Sequence, residues 1–439
     1  MTNKLALLKV VAFGLLFGTA VMGQNKSVLL MNGTAHLGNG KVIENSVIEI
    51  KDGKIVSVAG VKAFAKINPE DYDTIIQLAG KQVYPGIIAP NSTVGLIEME
   101  AVRATSDFAE VGLMNPNVRS ETSYNTESVI IPTLRTNGVL IVQACPRGER
   151  IPGTSSVFNL YGWNWEDALL KGDDGVELNF PRWPVEQLPV SEAPAPVIDR
   201  RQLYEKQVQE LRKFFKDARA YAEVDHPEEK NLRFEAMKGV FSGSERLYIH
   251  ADYAKDIVAA LGFVKEFQIK SAVLVGAKDA WLLTGMIKES GVPVMLGRVH
   301  DLPAREDDDK EIPYKLPGIL QKAGILFCLQ NQGDMEAMNA RNLPFQAGTA
   351  AAYGLTKEEA LMAITGNSAK ILGIADRVGT LETGKDATLF ISAGDALDMR
   401  TNKPELVFIQ GRMMGANADN VQRVLYEKYC RKYNIAISQ

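Results

Sequence analysis

The order of apolar and polar positions divides the chain into three textures. From about residue 26 to 82, short alternating runs are joined by tight turns. Val47–Ile50 and Ile55–Val58 flank Lys51-Asp52-Gly53-Lys54, and Asp-Gly between alternating apolar residues predicts a β-hairpin. Asn39-Gly40 marks another turn just upstream. From about 83 to 375, Val139–Ala144, Leu247–Ala251, Ser271–Val275, Val292–Leu296 and Ile325–Leu329 read as strands, with helical stretches such as Tyr253–Phe267 and Ala280–Glu289 between them. That alternation predicts parallel strands with crossover helices, in a (β/α) barrel or a doubly wound sheet. After Arg377 the strand texture returns in Asp386–Ser392 and Glu405–Gln410. A β-rich start and a β-rich end around an α/β middle predict that the two ends meet in one small domain. Residues 202–223 predict a solvated amphipathic helix, with Leu203, Val208, Leu211, Phe214 and Phe215 near one face.

The first residues stand apart from this pattern. Lys4 and Lys9 precede or border the apolar run Val10–Val21, and Val21 and Gly23 place small residues before Gln24. This predicts a signal peptide over 1–23 and an exported chain, periplasmic or extracellular. No second run long enough to span a membrane follows it. Lys+Arg 49 against Asp+Glu 53 lacks the basic footprint of a dedicated nucleic-acid binder. Cys145, Cys328 and Cys430 are too few and too scattered for a disulfide framework; the first two end apolar runs and predict buried strand positions. Imidazole chemistry has to come from His36, His226, His250 and His300. His36 and His226 read as surface residues.

The most specific pattern lies in the last third. Gly354-Leu355-Thr356-Lys357-Glu358-Glu359-Ala360-Leu361 leads to Thr365, then to Asn367-Ser368-Ala369-Lys370-Ile371-Leu372-Gly373, then to Arg377-Val378-Gly379-Thr380-Leu381-Glu382-Thr383-Gly384-Lys385-Asp386-Ala387. Thr356 with Glu359 predicts a capping box, and Gly373 a left-handed helix end. Together with the N-terminal hairpin and Val83-Tyr84-Pro85-Gly86-Ile87-Ile88, this order resembles the amidohydrolase superfamily, particularly its imidazolonepropionase-like members. The resemblance covers nearly all of the chain after residue 23. It implies a (β/α)8 TIM-like barrel over 83–375 and a composite β-sandwich from 24–82 plus 376–415. A C-terminal helical tail over 416–439 would follow.

The resemblance also implies a metal site, from which this chain departs. In the family, Pro-Gly and two apolar residues precede Asp-x-His-x-His on the first barrel strand. Those histidines hold a divalent metal, usually zinc, with histidines from strands 5 and 6 and an aspartate from strand 8. Here the sequence continues Ala89-Pro90-Asn91-Ser92-Thr93, so Asn91 and Thr93 stand at the histidine positions. Neutral amide and hydroxyl oxygens are weak zinc ligands beside imidazole. His250, at the end of Leu247-Tyr248-Ile249, matches the strand-5 ligand; Gly276 falls near the strand-6 position. At strand 8, Gln330-Asn331-Gln332-Gly333 replaces the expected aspartate, with Asp334 displaced by a few residues.

Two readings follow. In the first, the chain is an exported superfamily member with a degenerate metal site, weak or no hydrolysis and no cofactor. It would bind a small molecule in the barrel cleft, or act as partner subunit of an active amidohydrolase relative or of itself. In the second, it hydrolyses carbon–nitrogen bonds, peptidic or not, through an unconventional zinc site using His250 and Asp334. Arg119, Arg135 and Arg341 are candidate carboxylate clamps, and His300, after the seventh strand, a candidate binding residue. Tying barrel loops together is the blander role for the arginines. Trp163 and Trp165 predict an insertion packed over the barrel mouth.

Overall fold

The expected hairpin forms: Lys51 pairs with Lys54 across a turn whose central residues, Asp52 at φ 53° and Gly53 at φ 77°, are both left-handed. The pair β2 (Val42–Lys51) and β3 (Lys54–Gly60) continues a sheet begun by β1 (Val28–His36), which β4 (Thr74–Gln77) and β5 (Gln82–Pro85) join in parallel. The computed structural model describes residues 27–63, 67–184, 199–415, 427 and 429–436. The signal peptide expected over 1–23 lies outside the described residues. So does most of the expected tail, whose described part is helical at 427 and 429–433.

Eight further strands form a second sheet: β6 (Ile87–Ser92), β7 (Val139–Ala144), β8 (Thr154–Asn159), β9 (Leu169–Asn179), β10 (Arg246–Ala251), β11 (Ala272–Gly276), β12 (Val294–Leu296) and β13 (Phe327–Leu329). They neighbour one another in sequence order and curl into a nearly closed barrel, with β6 and β13 at the two ends of the path. One strand departs from the expected all-parallel pattern. β8 runs antiparallel to both β7 and β9. Antiparallel neighbours need only short connections, which is why 145–153 and 160–168 contain no long crossover helix. Reversing β8 also carries residues 160–168 to the end of the barrel opposite the mouth. There Asp167 meets Arg412, whose guanidinium lies over the Tyr161 ring. Trp163 and Trp165 therefore do not cover the mouth as expected, and Trp163 is 88% exposed.

Successive barrel strands point Ile88, Ile141, Val157, Tyr248, Val273, Met295 and Cys328 into one buried cluster with Ile371 and Leu372 of the helix Gly366–Leu372. That helix opens after Thr365 and ends at Gly373, left-handed at φ 63° as its sequence requires. The helix before it, Lys357–Ala363, carries the Thr356–Glu359 capping box. The long helix Arg200–Ala222 buries Val208, Leu211, Phe215 and Ala218 on one stripe and starts at an Asp199 cap; Leu203 is 45% exposed. After the barrel, β14 (Leu389–Ser392), β15 (Pro404–Ile409) and β16 (Arg412–Gly415) return to the first sheet, β14 pairing with β5. Both chain ends thus build one eight-stranded sheet. Among the described residues no helix is long and apolar enough to cross a membrane.

Candidate active site

The C-terminal ends of the parallel strands form the barrel mouth, where loops rather than strand ladders set the chemistry. His250 sits there on β10, and its Nε2 is 2.8 Å from Glu177 Oε2 on the neighbouring β9. Glu177 is 1% exposed. As a carboxylate it accepts, so the ring proton is on Nε2 and the rest of the imidazole faces a cavity of about 260 Å3. Phe180, Asp252, Tyr253 and Gln332 line the same cavity, and Arg182 lies over the Tyr253 ring at 4.4 Å. Burial raises the Asp252 carboxyl above its ordinary range, against the opposing pull of Lys278, His250 and Arg182.

Below the mouth, polar side chains satisfy one another. Gln143 Nε2 donates to Ser155 Oγ and Asp174 Oδ2, and Asp174 also takes Lys171 Nζ at 2.6 Å and the Tyr248 hydroxyl. Above this layer, Asn91, the penultimate residue of β6, stands at φ 49° and donates through Nδ2 to Gln332 Oε1 at 3.0 Å. Asn331 accepts from Gln346, and Gln330 accepts the Gln332 backbone N–H. Arg147 is held by Glu336 (Nε–Oε1 3.0 Å) and by the carbonyl of Asn91 (Nη2–O 3.0 Å). Burial disfavours the Arg147 cation, but Glu336 and Glu177 more than offset this and raise its pKa.

The family resemblance implies zinc, and the donor set tests it. Tetrahedral zinc wants about four imidazole, thiolate or carboxylate donors. Among the described residues no three His, Cys, Asp or Glu side chains come close enough together to hold an ion. Asn91 and Thr93, at the positions where the resemblance implies paired histidines, are buried. Gly276, at φ 89°, has its missing Cβ position 2.3 Å from Asp252 Oδ1, so a histidine there would strike that carboxylate. Cys145 is fully buried, and burial pushes its thiol far up. A guanidinium already supplies positive charge within reach of Glu177. These residues do not fit the metal.

The other residues singled out from the sequence lie elsewhere. Asp334 is exposed, and its backbone carbonyl accepts from Arg298 and Asn339; Glu336 is the buried carboxylate of that segment. Arg119 forks onto Asp173 at 2.7 and 2.8 Å and pairs with Glu121. Arg135 is buried and donates to Leu160 O at 2.7 Å, and the carbonyl of Arg341 accepts from Asn137. His300 Nε2 meets Thr349 Oγ1 at 2.7 Å. None of the four lines the cavity around His250. His36 is half-buried rather than superficial. Glu177 and Arg147 went unread in the sequence. Glu177 had a weak signal, a lone acid inside the apolar run Val176–Leu178; Arg147 had none.

The comparisons agree with this architecture. The solved amidohydrolase from Thermotoga maritima MSB8 is 24% identical, over 88% of this chain and 99% of that one, with a TM-score of 0.73. An adenosine deaminase from Xanthomonas campestris with bound zinc is 15% identical over 93% and 97%, TM-score 0.51. A prolidase complexed with N-methylphosphonate-L-proline is 14% identical over 89% and 99%, TM-score 0.50. No curated protein matches the chain. At these identities the structures establish the fold alone. The sequence model of the amidohydrolase family matches residues 181–414, more than half of the chain, and the protein belongs to that family.

Proposed function

We propose that this protein uses the amidohydrolase barrel as a metal-free binding site, taking a small polar molecule into the cavity above His250 with weak or no hydrolysis. One observation carries the reading. The histidine that lines this cavity is spent on buried Glu177, and the residues around it, Arg182, Asp252, Asp256 and Gln332 among them, bring no second imidazole. A ligand hydroxyl or N–H can donate to the free imidazole nitrogen, and Phe180 and Tyr253 offer apolar surface beside it. The same pairing supports a second reading. A buried carboxylate orienting an imidazole is the arrangement of a general base, so His250 could activate water on a carbon–nitrogen bond without zinc.

The first test is bound metal, measured by inductively coupled plasma mass spectrometry on protein purified without chelator and again after incubation with excess zinc. Well under one-tenth of an equivalent in both samples is expected. Near one equivalent would overturn the metal-free reading. The second test is hydrolysis of an amide and dipeptide panel, chosen because a prolidase is among the fold neighbours. Turnover present in the native protein and lost in His250→Ala would favour the general-base reading. Export is proposed from Lys4, Lys9 and the apolar Val10–Val21 run. Pairing with an active amidohydrolase relative is proposed as well; co-purification from the native extract tests it.

A further inference from the structure

The barrel has a seam. Its hydrogen-bonded path runs from β6 to β13 and ends there, with no ladder joining the two among the described residues. Low in the seam, Ile88 N of β6 donates instead to Ile364 O, the residue that follows the helix Lys357–Ala363. At the mouth, side chains cross it. Asn91 of β6 reaches Gln332, just past β13, at 3.0 Å. Arg147 takes the Asn91 carbonyl with Nη2 at 3.0 Å, and with Nε and Nη2 it meets Glu336 Oε1 at 3.0 Å. Glu336 is 8% exposed, and its other oxygen accepts the Gly333 N–H at 3.1 Å. The Arg147 backbone is fixed too, its N–H donating to Phe108 O at 2.7 Å.

We propose that Arg147 is a built-in cationic clasp: its guanidinium ties the end of the first barrel strand to the segment after the last, and holds the seam closed beside the mouth without a metal. Guanidinium suits the task because its planar fork serves a carbonyl and a carboxylate at once and never loses its charge. A divalent ion at the mouth would have to approach this fixed cation, which repels it and already neutralises Glu336. The proposal rests on the metal-free reading of the mouth and deepens it by naming what replaces the ion.

Thermal unfolding of the full-length protein and of four variants tests it. Arg147→Met should lower the Tm by about 5–10 °C, as expected for a buried pair broken on one side. Glu336→Gln should lower it as well, and the double variant should fall no further than the worse single, because the two act as one unit. Arg147→Lys, which keeps the charge but loses the fork, should fall between and guards against a Met variant that does not fold. The native Tm should be indifferent to chelator and to added zinc. Additive losses, or an unchanged Tm in Arg147→Met, would overturn the clasp. A native Tm that drops with chelator would instead overturn the metal-free reading, whatever the variants do.

Discussion

His36 is held by two acceptors at once. Gln82 Nε2 donates to Gly80 O, so its Oε1 faces His36 Nε2 at 2.9 Å; Glu358 Oε1 lies 2.7 Å from Nδ1. Both ring nitrogens must donate, which is the imidazolium form. Burial opposes that charge, but Glu358, Gln82 and more distant Asp395 prevail, and the pKa is raised above 6.5. The partner carboxylate and Asp395 face His36 from the barrel helix and the loop after β14, where Lys357 is paired to Asp395 at 2.6 Å. A histidine whose folded pKa is raised stabilises fully below its unfolded value, and the contribution fades as pH rises through the folded one. Urea denaturation should therefore show the gap between the native protein and His36→Gln shrinking from pH 6 to pH 9; a constant gap would refute the charged form.

Glu245 works in the opposite sense. Burial, with Asp173 and Asp174 close by, raises its pKa from 4.5 to about 7. The unfolded chain then releases this proton first, so stability declines between about pH 4.5 and 7. Glu245→Gln should stabilise by about 1–2 kcal/mol at pH 8 and by much less at pH 4.5. Neither residue was legible beforehand, because each depends on neighbours brought in from distant segments. The strand position of His250 was legible, since it is local, while its candidate role came from the family resemblance alone. The partner that defines its chemistry, Glu177, sits 73 positions away and meets it only across the β9–β10 ladder.

At the scale of elements, sequence and structure agree wherever the signal is local. The Asp52-Gly53 turn, the Thr356 cap and the Gly373 helix end each depend on a few adjacent residues, and each forms as read. Gly53 is additionally confined, since a Cβ there would lie 2.8 Å from Gln410 O, where β15 turns toward β16. Gly53→Ala should cost about 1–2 kcal/mol from the left-handed backbone alone, and more from that contact. Urea denaturation measures it, and a loss below 0.5 kcal/mol would mean that the turn relaxes into another type. The reversed β8 was not legible. Thr154–Asn159 holds only Val157 and Phe158 as apolar residues, too short a run to mark a strand, and direction is set by which neighbours it finds rather than by its own residues. The reversal also carries Trp163 and Trp165 to the end away from the mouth, which their own residues do not signal.

For the whole molecule, the decisive fact is that the sheet is built from segments on both sides of the barrel in sequence. β14, β15 and β16 follow the barrel in sequence yet lie beside β5, which precedes it. Asp386 stands at the join. It is 4% exposed, takes the Arg377 fork at 2.8 and 3.1 Å, and pairs with Lys54 at the β2–β3 hairpin. Arg377 in turn donates to Leu170 O of β9 at 3.0 Å. One carboxylate thus connects the first hairpin, the return strand and the barrel wall. Both its cations are partly solvated, so Asp386→Asn should cost about 2 kcal/mol rather than the larger loss of a fully buried pair. Because the two units share this join and the β5–β14 ladder, they should unfold together. Far-ultraviolet circular dichroism and tryptophan fluorescence should give one coincident denaturation curve for the native protein, and Asp386→Asn should shift both probes equally. Separate transitions, or a shift confined to one probe, would mean that the barrel stands without the sheet its two ends build.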